Sequence, residues 1–222
     1  MVSHPYIPQD LILDGFVQIS TAQITVLGVY LSSSFLVASF IWLVSGWCAK
    51  LSQTERLIMC WLAFSGLNHI ILETYFVFSP EFYKDSSFLA DVWKIYSLGD
   101  SRYAARESSL VTLEILTVFF VGPSCLLAVY AIAKRKSYSD ILQISISLGH
   151  LYAVALFYVT SFLQGNNFAS SPFYYYSYIV LGNSFWICIP ILIIIRSWKE
   201  ICAAVLAASH SRAPTQKKNK TG

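Results

Sequence analysis

The sequence predicts an all-α protein that crosses a membrane several times. Of its 222 residues, 56% are hydrophobic and only 12% are charged, whereas an ordinary soluble domain is about 25% charged. The mean hydropathy is +0.58. Five apolar runs of membrane-spanning length follow one another along the chain. We therefore predict one polytopic membrane domain, residues 1–222, with five transmembrane helices at about 24–47, 57–79, 110–133, 141–163 and 174–195.

The first predicted span, residues 24–47, has the character of a retained anchor. No Lys or Arg precedes Lys50, so the run lacks the basic segment that comes before the apolar part of a cleaved signal peptide. Ahead of it, Pro5 and Pro8 disfavour a helix. We expect residues 1–21 to lie in the membrane interface or to cover a cavity.

The second span carries the most informative polar groups of the chain. Between residues 61 and 78 the strongly polar side chains are Asn68, His69 and Glu73. His69 and Glu73 are four residues apart, so on a helix they share one face. A charged residue at the centre of a membrane helix costs about 3 kcal/mol, so such groups are kept because they pair inside a bundle or because they do chemistry. The pattern alone leaves both interpretations open.

Residues 80–109 form the one long connection. Aromatic side chains alternate there with charged ones, a pattern typical of an interfacial loop lying against the mouth of a bundle. The connection ends in Gly-Asp-Ser-Arg-Tyr at residues 99–103. Arg102 and Tyr103 of this cluster belong either to a functional site or to a solvated turn.

Polar residues also occur in the later spans. Glu114 lies about one turn into the third span, and Pro123, after Gly122, predicts a kink that can open a pocket. His150 in the fourth span shares a face with Gln143, and we interpret it as a hydrogen-bonding contact between helices rather than as a catalyst. The fifth span begins with an aromatic cluster at 173–178 and contains Asn183 and Trp186 on one face.

Basic residues predict the orientation. With the N-terminus outside, eleven basic residues fall on the cytosolic side and four on the other. The cytosolic set is Lys50, Arg56, Lys134, Arg135, Lys136, Arg196, Lys199, Arg212, Lys217, Lys218 and Lys220, and the other set is Lys84, Lys94, Arg102 and Arg106. Because basic residues favour the cytosolic side, we expect the basic tail, 198–222, in the cytosol.

The intramembrane polar groups favour acid–base chemistry. They are His69, Glu73, Glu114, Thr117, Asn183 and Trp186. Carboxyl groups in a low-dielectric site can hold and give protons, and an indole face can stabilise a positive charge. The sequence contains no nucleotide-binding loop, no metal-ligand cluster and no nucleophile elbow, and its five cysteines form no CxxC pair. We therefore predict proton transfer on an apolar substrate, with no cofactor, no metal and no nucleic-acid partner.

Six segments carry a resemblance to a known family. They are HPYIPQD, HIILETYFVF, FLADVWKIYSLGDSRY, the stretch from Glu114 to Gly122-Pro123, FYYYSY and NSFW. Together they resemble the emopamil-binding protein family of sterol Δ8–Δ7 isomerases, especially its plant members, over nearly the whole chain. The resemblance implies a five-helix fold in the endoplasmic reticulum membrane, with a lipid-accessible cavity for a sterol or a lipophilic amine. It also implies an activity that protonates carbon 9 of the sterol and removes a proton from carbon 7.

The resemblance further implies catalytic roles. His69 and Glu73 match the family's His/Glu pair, Glu114 matches its second acid, and Asn183 and Trp186 match its Asn-x-x-Trp element. We expect Glu73 with His69 to handle one proton and Glu114 the other. Asn183 would orient Glu114 or the sterol, and Trp186 would face the cation at carbon 8.

Three further residues match the family pattern, and three others depart from it. Arg102, Tyr103 and Thr117 match positions that the family needs for substrate binding or support. The chain departs from the pattern at Thr74 in place of Gly, Ile95 in place of an acid, and His150 in place of Gln. We interpret these departures as changes of packing and pocket shape.

Two other functions remain as alternatives. One is a non-catalytic sterol- or amine-binding membrane protein of the same fold, and retention of all five core residues argues against it. The other is a proton-coupled transporter, against which the chain shows no inverted repeat. The tail around Lys218 and Lys220 resembles a dilysine retrieval signal of the endoplasmic reticulum. The sequence leaves open which sterol is preferred and whether two copies form a homodimer.

Overall fold

The computed structural model describes residues 4–48 and 51–218, with side chains up to residue 211. In this part of the chain all regular structure is helical, and five helices are long and apolar enough to cross a membrane. The helices in chain order are α1 Gln23–Ser45, α2 Gln53–Phe78, α3 Phe88–Tyr96, α4 Ser108–Ala133, α5 Ser139–Leu163 and α6 from Pro172 to Lys218. The five long helices, all except α3, confirm the predicted all-α membrane class. Lys50, Lys220 and the rest of the dilysine-like end lie outside the described residues.

Three of the long helices contain a stretch of π-helix. The stretches are Asn68–Glu73 in α2, Thr117–Val121 in α4 and Tyr175–Val180 in α6. Helix α4 continues through Pro123, because the π-helical turn before it places Pro123 in the first turn of the following α-helical part, Gly122–Ala133. A proline is tolerated there because the N–H at the first helical position makes no intrahelical hydrogen bond in any case.

Helix α6 differs from the predicted span at its C-terminal end. The span was expected to finish near residue 195, yet the α-helix continues from Leu181 to Lys218. Between residues 196 and 213 the sequence has no Gly or Pro and is rich in Ala, so nothing there stops a helix. The tail that we expected from residue 198 therefore starts as helix, and its side chains at 202–211 are exposed.

Helix α2 lies between α1 and α4, and α5 packs along α6. The contact between α2 and α4 is close because glycines face it. A Cβ atom on Gly66 would lie 2.9 Å from the Cβ of Cys125, and one on Gly122 would lie 3.0 Å from the Cβ of His69. Helix α1 is the most peripheral of the five long helices, because only 6% of its most apolar 18-residue stretch is buried. The glycines therefore bring the polar face of α2 against α4.

The connection at 80–109 folds into a cap on the bundle, in which residues 80–89 are mostly exposed and residues 90–104 are mostly buried. Its helix α3 buries Asp91, Trp93 and Lys94 beneath the N-terminal segment, residues 4–21. The backbone N–H of Ser20 and of Thr21 donate to Asp91 Oδ2 at 3.1 and 2.8 Å, and the Ser20 hydroxyl donates at 2.8 Å.

The charges of the cap are satisfied inside it. Lys94 Nζ lies 3.5 Å from Asp91 Oδ1 and also donates to the carbonyl oxygen of Asp85. Burial opposes ionisation of Asp91, but the hydrogen bonds from Ser20 and Thr21 and the charge of Lys94 outweigh it, so the pKa of Asp91 is lowered. Ser20 and Thr21 are distant from Asp91 in sequence, which explains why the charged pattern did not indicate this burial.

The apolar core consists of two clusters. One is aromatic and lies at the cap, with Phe76 and Trp93 among its buried members. The other is mainly aliphatic and includes Leu62 and Ile132. Glu73 lies on α2 between Leu62 of the aliphatic cluster and Phe76 of the aromatic cluster. The polar groups of the bundle therefore lie in a layer between the two apolar clusters.

Candidate active site

The carboxyl groups of Glu73 and Glu114 meet at one hydroxyl group. Glu73 ends the π-helical stretch of α2, and Glu114 lies in the first α-helical part of α4. The Thr117 hydroxyl donates a hydrogen bond to Glu73 Oε2, and the Thr117 Oγ1 atom also lies 3.4 Å from Glu114 Oε2. Both carboxyl groups therefore lie within reach of one side-chain hydroxyl. Two adjacent buried carboxyl groups are compatible when one of them carries a proton, so the pair is suited to proton transfer.

His69 supports Glu73 from the side away from the cavity. Its Nδ1 lies 2.7 Å from Glu73 Oε1, and the side chain is almost fully buried. Together with Thr117, His69 therefore engages both carboxyl oxygens of Glu73. Such contacts at both oxygens fix the orientation of a carboxyl group, as proton transfer requires.

Tyr103 reaches the acids from the segment between α3 and α4. Its hydroxyl donates to Glu114 Oε1 at 3.2 Å. Burial raises the pKa of the Tyr103 phenol well above its usual value. The phenol therefore keeps its proton and acts as a hydrogen-bond donor.

A cavity of about 730 Å³ extends from the acids into the bundle. Its walls come from α1, α2, α3, α4 and α6, and they are mostly apolar. Leu31, Phe35 and Phe185 line the cavity and have exposed side chains, so the cavity is not sealed off from the exterior. Its volume lies within the range of about 300–1,000 Å³ that is usual for small-molecule sites.

Asn183 and Trp186 both line this cavity. The Trp186 indole packs against Trp61 and Phe64, with ring centroids 5.2 and 5.9 Å apart, and donates its N–H to Ser65 Oγ at 3.3 Å. These contacts hold the indole face in one orientation. The Nδ2 group of Asn183 is buried and has no hydrogen-bond partner among the described residues.

Arg102 lies away from the cavity. Its guanidinium contacts Asp100 through Nε–Oδ1 at 3.0 Å and Nη2–Oδ2 at 2.6 Å, and it donates to Thr160 Oγ1 at 3.0 Å. The rings of Phe157 and Phe168 lie 4.9 and 5.1 Å from it. Arg102 is buried, so the segment is not a solvated turn, and its contacts tie the segment that carries Tyr103 to α5.

The cavity has further lining residues that the sequence analysis did not assign to a site. They are Tyr30 of α1, Trp61, Phe64 and Asn68 of α2, and Trp93 and Tyr96 of α3. The three-residue spacing of Trp93 and Tyr96 on one helix face was the available signal for α3. Nothing in the sequence indicated that α3 would fold inward, or that π-helical turns, which occur frequently at functional sites, would lie beside Glu73 and Thr117.

The fold and the geometry place two buried carboxyl groups at the wall of an apolar cavity, within a bundle that contains five helices of membrane-spanning length. Residues 88–197 match the family described as EBP: EXPERA (EXPanded EBP superfamily). Together with the full-length relatives below, this match confirms the family resemblance that the motifs indicated. The chain belongs to the EBP family.

Three similar relatives are plant proteins. A protein of Arabidopsis thaliana named "Probable 3-beta-hydroxysteroid-Delta(8),Delta(7)-isomerase" is 50% identical over 99% of this chain and 98% of its own length. A protein of Oryza sativa subsp. japonica with the same name is 50% identical over 90% of this chain and 93% of its own. A protoglabretal synthase of Ailanthus altissima is 48% identical over 92% of this chain and 94% of its own.

Proposed function

We propose that this chain is a 3β-hydroxysteroid Δ8–Δ7 isomerase, an intramolecular oxidoreductase that shifts the sterol ring double bond from position 8 to position 7. The observation that carries the proposal is the convergence of Glu73 and Glu114 on Thr117 at the wall of an apolar cavity. The names of the two plant relatives at 50% identity support the substrate class.

The proposed reaction consists of two proton transfers. An acid protonates carbon 9 of the Δ8 sterol, which leaves a cation at carbon 8, and a base then removes a proton from carbon 7 to form the Δ7 double bond. Glu73 with His69 handles one proton and Glu114 handles the other. The position of both carboxyl groups at the Thr117 hydroxyl supports this division, because two adjacent buried carboxyl groups are compatible when one is protonated and the other is ionised.

Asn183 and Trp186 act on the substrate in this proposal. The unpartnered Nδ2 of Asn183 supports a role in orienting the sterol rather than Glu114, since no hydrogen bond joins it to another described residue. The Trp186 indole lines the cavity and faces the cation at carbon 8, where an aromatic face attracts positive charge without reacting with it. Tyr103 and Thr117 support Glu114 and Glu73, and Arg102 supports the segment that carries Tyr103.

The proposal also covers location and ligands. We place the chain in the endoplasmic reticulum membrane with its C-terminus in the cytosol, on the bias of basic residues and the tail around Lys218. Lipophilic tertiary amines, which are cations at neutral pH, are expected to occupy the same cavity as mimics of the carbocation. All groups named in the mechanism belong to one chain, so the chemistry needs no second copy, and the homodimer considered from the sequence stays open.

A sterol profile tests the proposed function. Expression of the chain in yeast cells that lack their own sterol isomerase is expected to convert accumulated Δ8 sterols into Δ7 sterols. Unchanged Δ8 sterol, with the protein present in the membrane, would favour the non-catalytic sterol- or amine-binding alternative. Because one relative at 48% identity is named as a protoglabretal synthase, the extract should also be examined for triterpenoid products after addition of triterpenoid precursors.

A further inference from the structure

His69 has a second imidazole as its neighbour. The Nε2 atoms of His69 and His150 lie 3.1 Å apart, and Ser65 Oγ lies 3.2 Å from the first and 3.3 Å from the second. The two rings are 5.3 Å apart at an angle of 31°. His69 and His150 are 4% and 2% exposed, so water does not compete for these contacts.

The ring nitrogens of His69 and His150 can be assigned as donors or acceptors from the partners that each one faces. With Glu73 as a carboxylate that accepts at Oε1, Nδ1 of His69 carries the proton. A neutral imidazole has one N–H, so Nε2 of His69 is an acceptor, and His150 Nε2 must be the donor that faces it. The Nδ1 atom of His150 then carries no proton and is an acceptor.

The environment of His150 Nδ1 agrees with this assignment. The atom is buried without a partner among the described residues. A buried donor and a buried acceptor without a partner both carry a desolvation cost, so the contact between the two Nε2 atoms decides the tautomer. The opposite tautomer of His150 would put an unsatisfied N–H there and two lone pairs against each other at 3.1 Å.

We propose that His150 is a positioning residue for the proton transfer at Glu73. By donating from Nε2 to His69 Nε2, His150 holds His69 in the tautomer whose Nδ1–H points at the Glu73 carboxylate and keeps that carboxylate oriented as a base. His150 does not line the cavity, so it acts through His69 and does not touch the substrate. The inference rests on the proposed function, because it assigns a part in the same reaction.

The alternative, considered from the sequence, is that His150 only joins two helices. Gln143 provides a matched control for that role. It lies two turns earlier on the same face of α5, is 1% exposed, and accepts a hydrogen bond from Ser197 of α6 at 3.4 Å. It therefore joins helices without contacting His69 or the cavity.

The test compares His150→Gln, His150→Met and Gln143→Met, since Gln and Met have similar length and volume but only Gln can donate a hydrogen bond. In yeast membranes we expect His150→Met to lower kcat about 10-fold or more, which corresponds to a rise of about 1.4 kcal/mol in the barrier, with KM unchanged. His150→Gln should retain most of the kcat, and Gln143→Met should leave it unchanged. An equal loss in the Gln and Met variants, a change in KM alone, or a normal kcat in His150→Met would overturn the proposal.

A second measurement decides the question if His150→Met fails to accumulate in the membrane. Nitrogen-15 NMR of histidine-labelled wild-type protein should show neutral His69 protonated at Nδ1 and neutral His150 protonated at Nε2. A His150 protonated at Nδ1 would overturn the assignment. This spectrum does not depend on turnover, so an inactive wild-type chain would contradict the proposed function separately.

Discussion

The hydroxyl of Tyr103, in the cap, donates to the carboxyl group of Glu114, in the membrane helix α4, at 3.2 Å. Tyr103 packs at the same time against Trp93, Tyr96 and Phe157, with ring centroids 5.4, 5.1 and 6.3 Å away. The cap is therefore coupled directly to one of the two acids. Its folding and the geometry of the site depend on each other.

Removal of that hydroxyl should slow the reaction. Tyr103→Phe keeps the ring contacts but removes the hydrogen bond to Glu114, which is worth about 1.5–3 kcal/mol when its partner is charged. We expect isomerase turnover to fall by about 10-fold or more, measured as Δ7 sterol formed per amount of protein in yeast membranes. Tyr75→Phe is the control, because the Tyr75 hydroxyl bonds to exposed Asp85 away from the cavity. A wild-type rate in Tyr103→Phe would remove this hydrogen bond from the account.

Replacement of Trp186 tests stabilisation of the cation. An aromatic face is worth roughly 2 kcal/mol to a desolvated cation, and a lipophilic tertiary amine imitates the cationic intermediate. Trp186→Leu should therefore weaken both amine binding and turnover strongly, whereas Trp186→Phe should keep part of each. Amine affinity and isomerase rate are measured in the same membranes. If Leu and Phe behave alike, or if amine binding is untouched while turnover collapses, Trp186 is a packing residue.

The buried acid of the cap should govern stability. Asp91→Asn leaves Lys94 without its charged partner, and breaking a buried pair costs about 3–5 kcal/mol. We expect a lower melting temperature in detergent, with exposed Asp10→Asn as the control. Because the pKa of Asp91 is lowered in the folded protein, its contribution is complete above the ordinary pKa of a carboxyl group and is lost as the pH falls through the folded-state pKa. The difference between wild type and Asp91→Asn should therefore shrink in acid, and a difference independent of pH would contradict this origin.

The orientation can be tested with two reporters. An N-glycosylation site introduced at exposed Asn167, between α5 and α6, should be modified in the lumen. A protease site introduced at the C-terminus should be cut from the cytosol. The expectation follows from the distribution of basic residues. Both reporters on the same side of the membrane would contradict five spans in this orientation.

The membrane class and the five long helices could be predicted from the sequence because hydropathy is a local property. The cap could not, since Asp91 and Lys94 are charged residues whose partners, Ser20 and the carbonyl of Asp85, are set by tertiary folding. The extension of α6 was missed for another reason. The expected end near residue 195 rested on the loss of hydropathy, but a helix does not need to stop where the membrane does.

Within the site, spacing alone put His69 and Glu73 on one face. Their meeting with Glu114 involves two helices, and the sequence pattern indicated it only through the family resemblance. The π-helical turns that align Glu73 with Thr117 have no recognised sequence signal. Arg102 carried the same resemblance, yet its contacts with Asp100 and Thr160 show that a matched position can act at a distance from the cavity.

The central claim is that Glu73 and Glu114 transfer the protons. The most direct measurement is the isomerase rate of Glu73→Gln and Glu114→Gln, which keep the shape of each side chain but remove its acid–base capacity. General acid–base groups supply about 100- to 10,000-fold each, so we expect either change to reduce the rate at least 100-fold. Glu107→Gln at the N-cap of α4, the same substitution two turns earlier, should retain activity. Near-normal formation of Δ7 sterol by either active-site variant, in folded protein, would contradict the account.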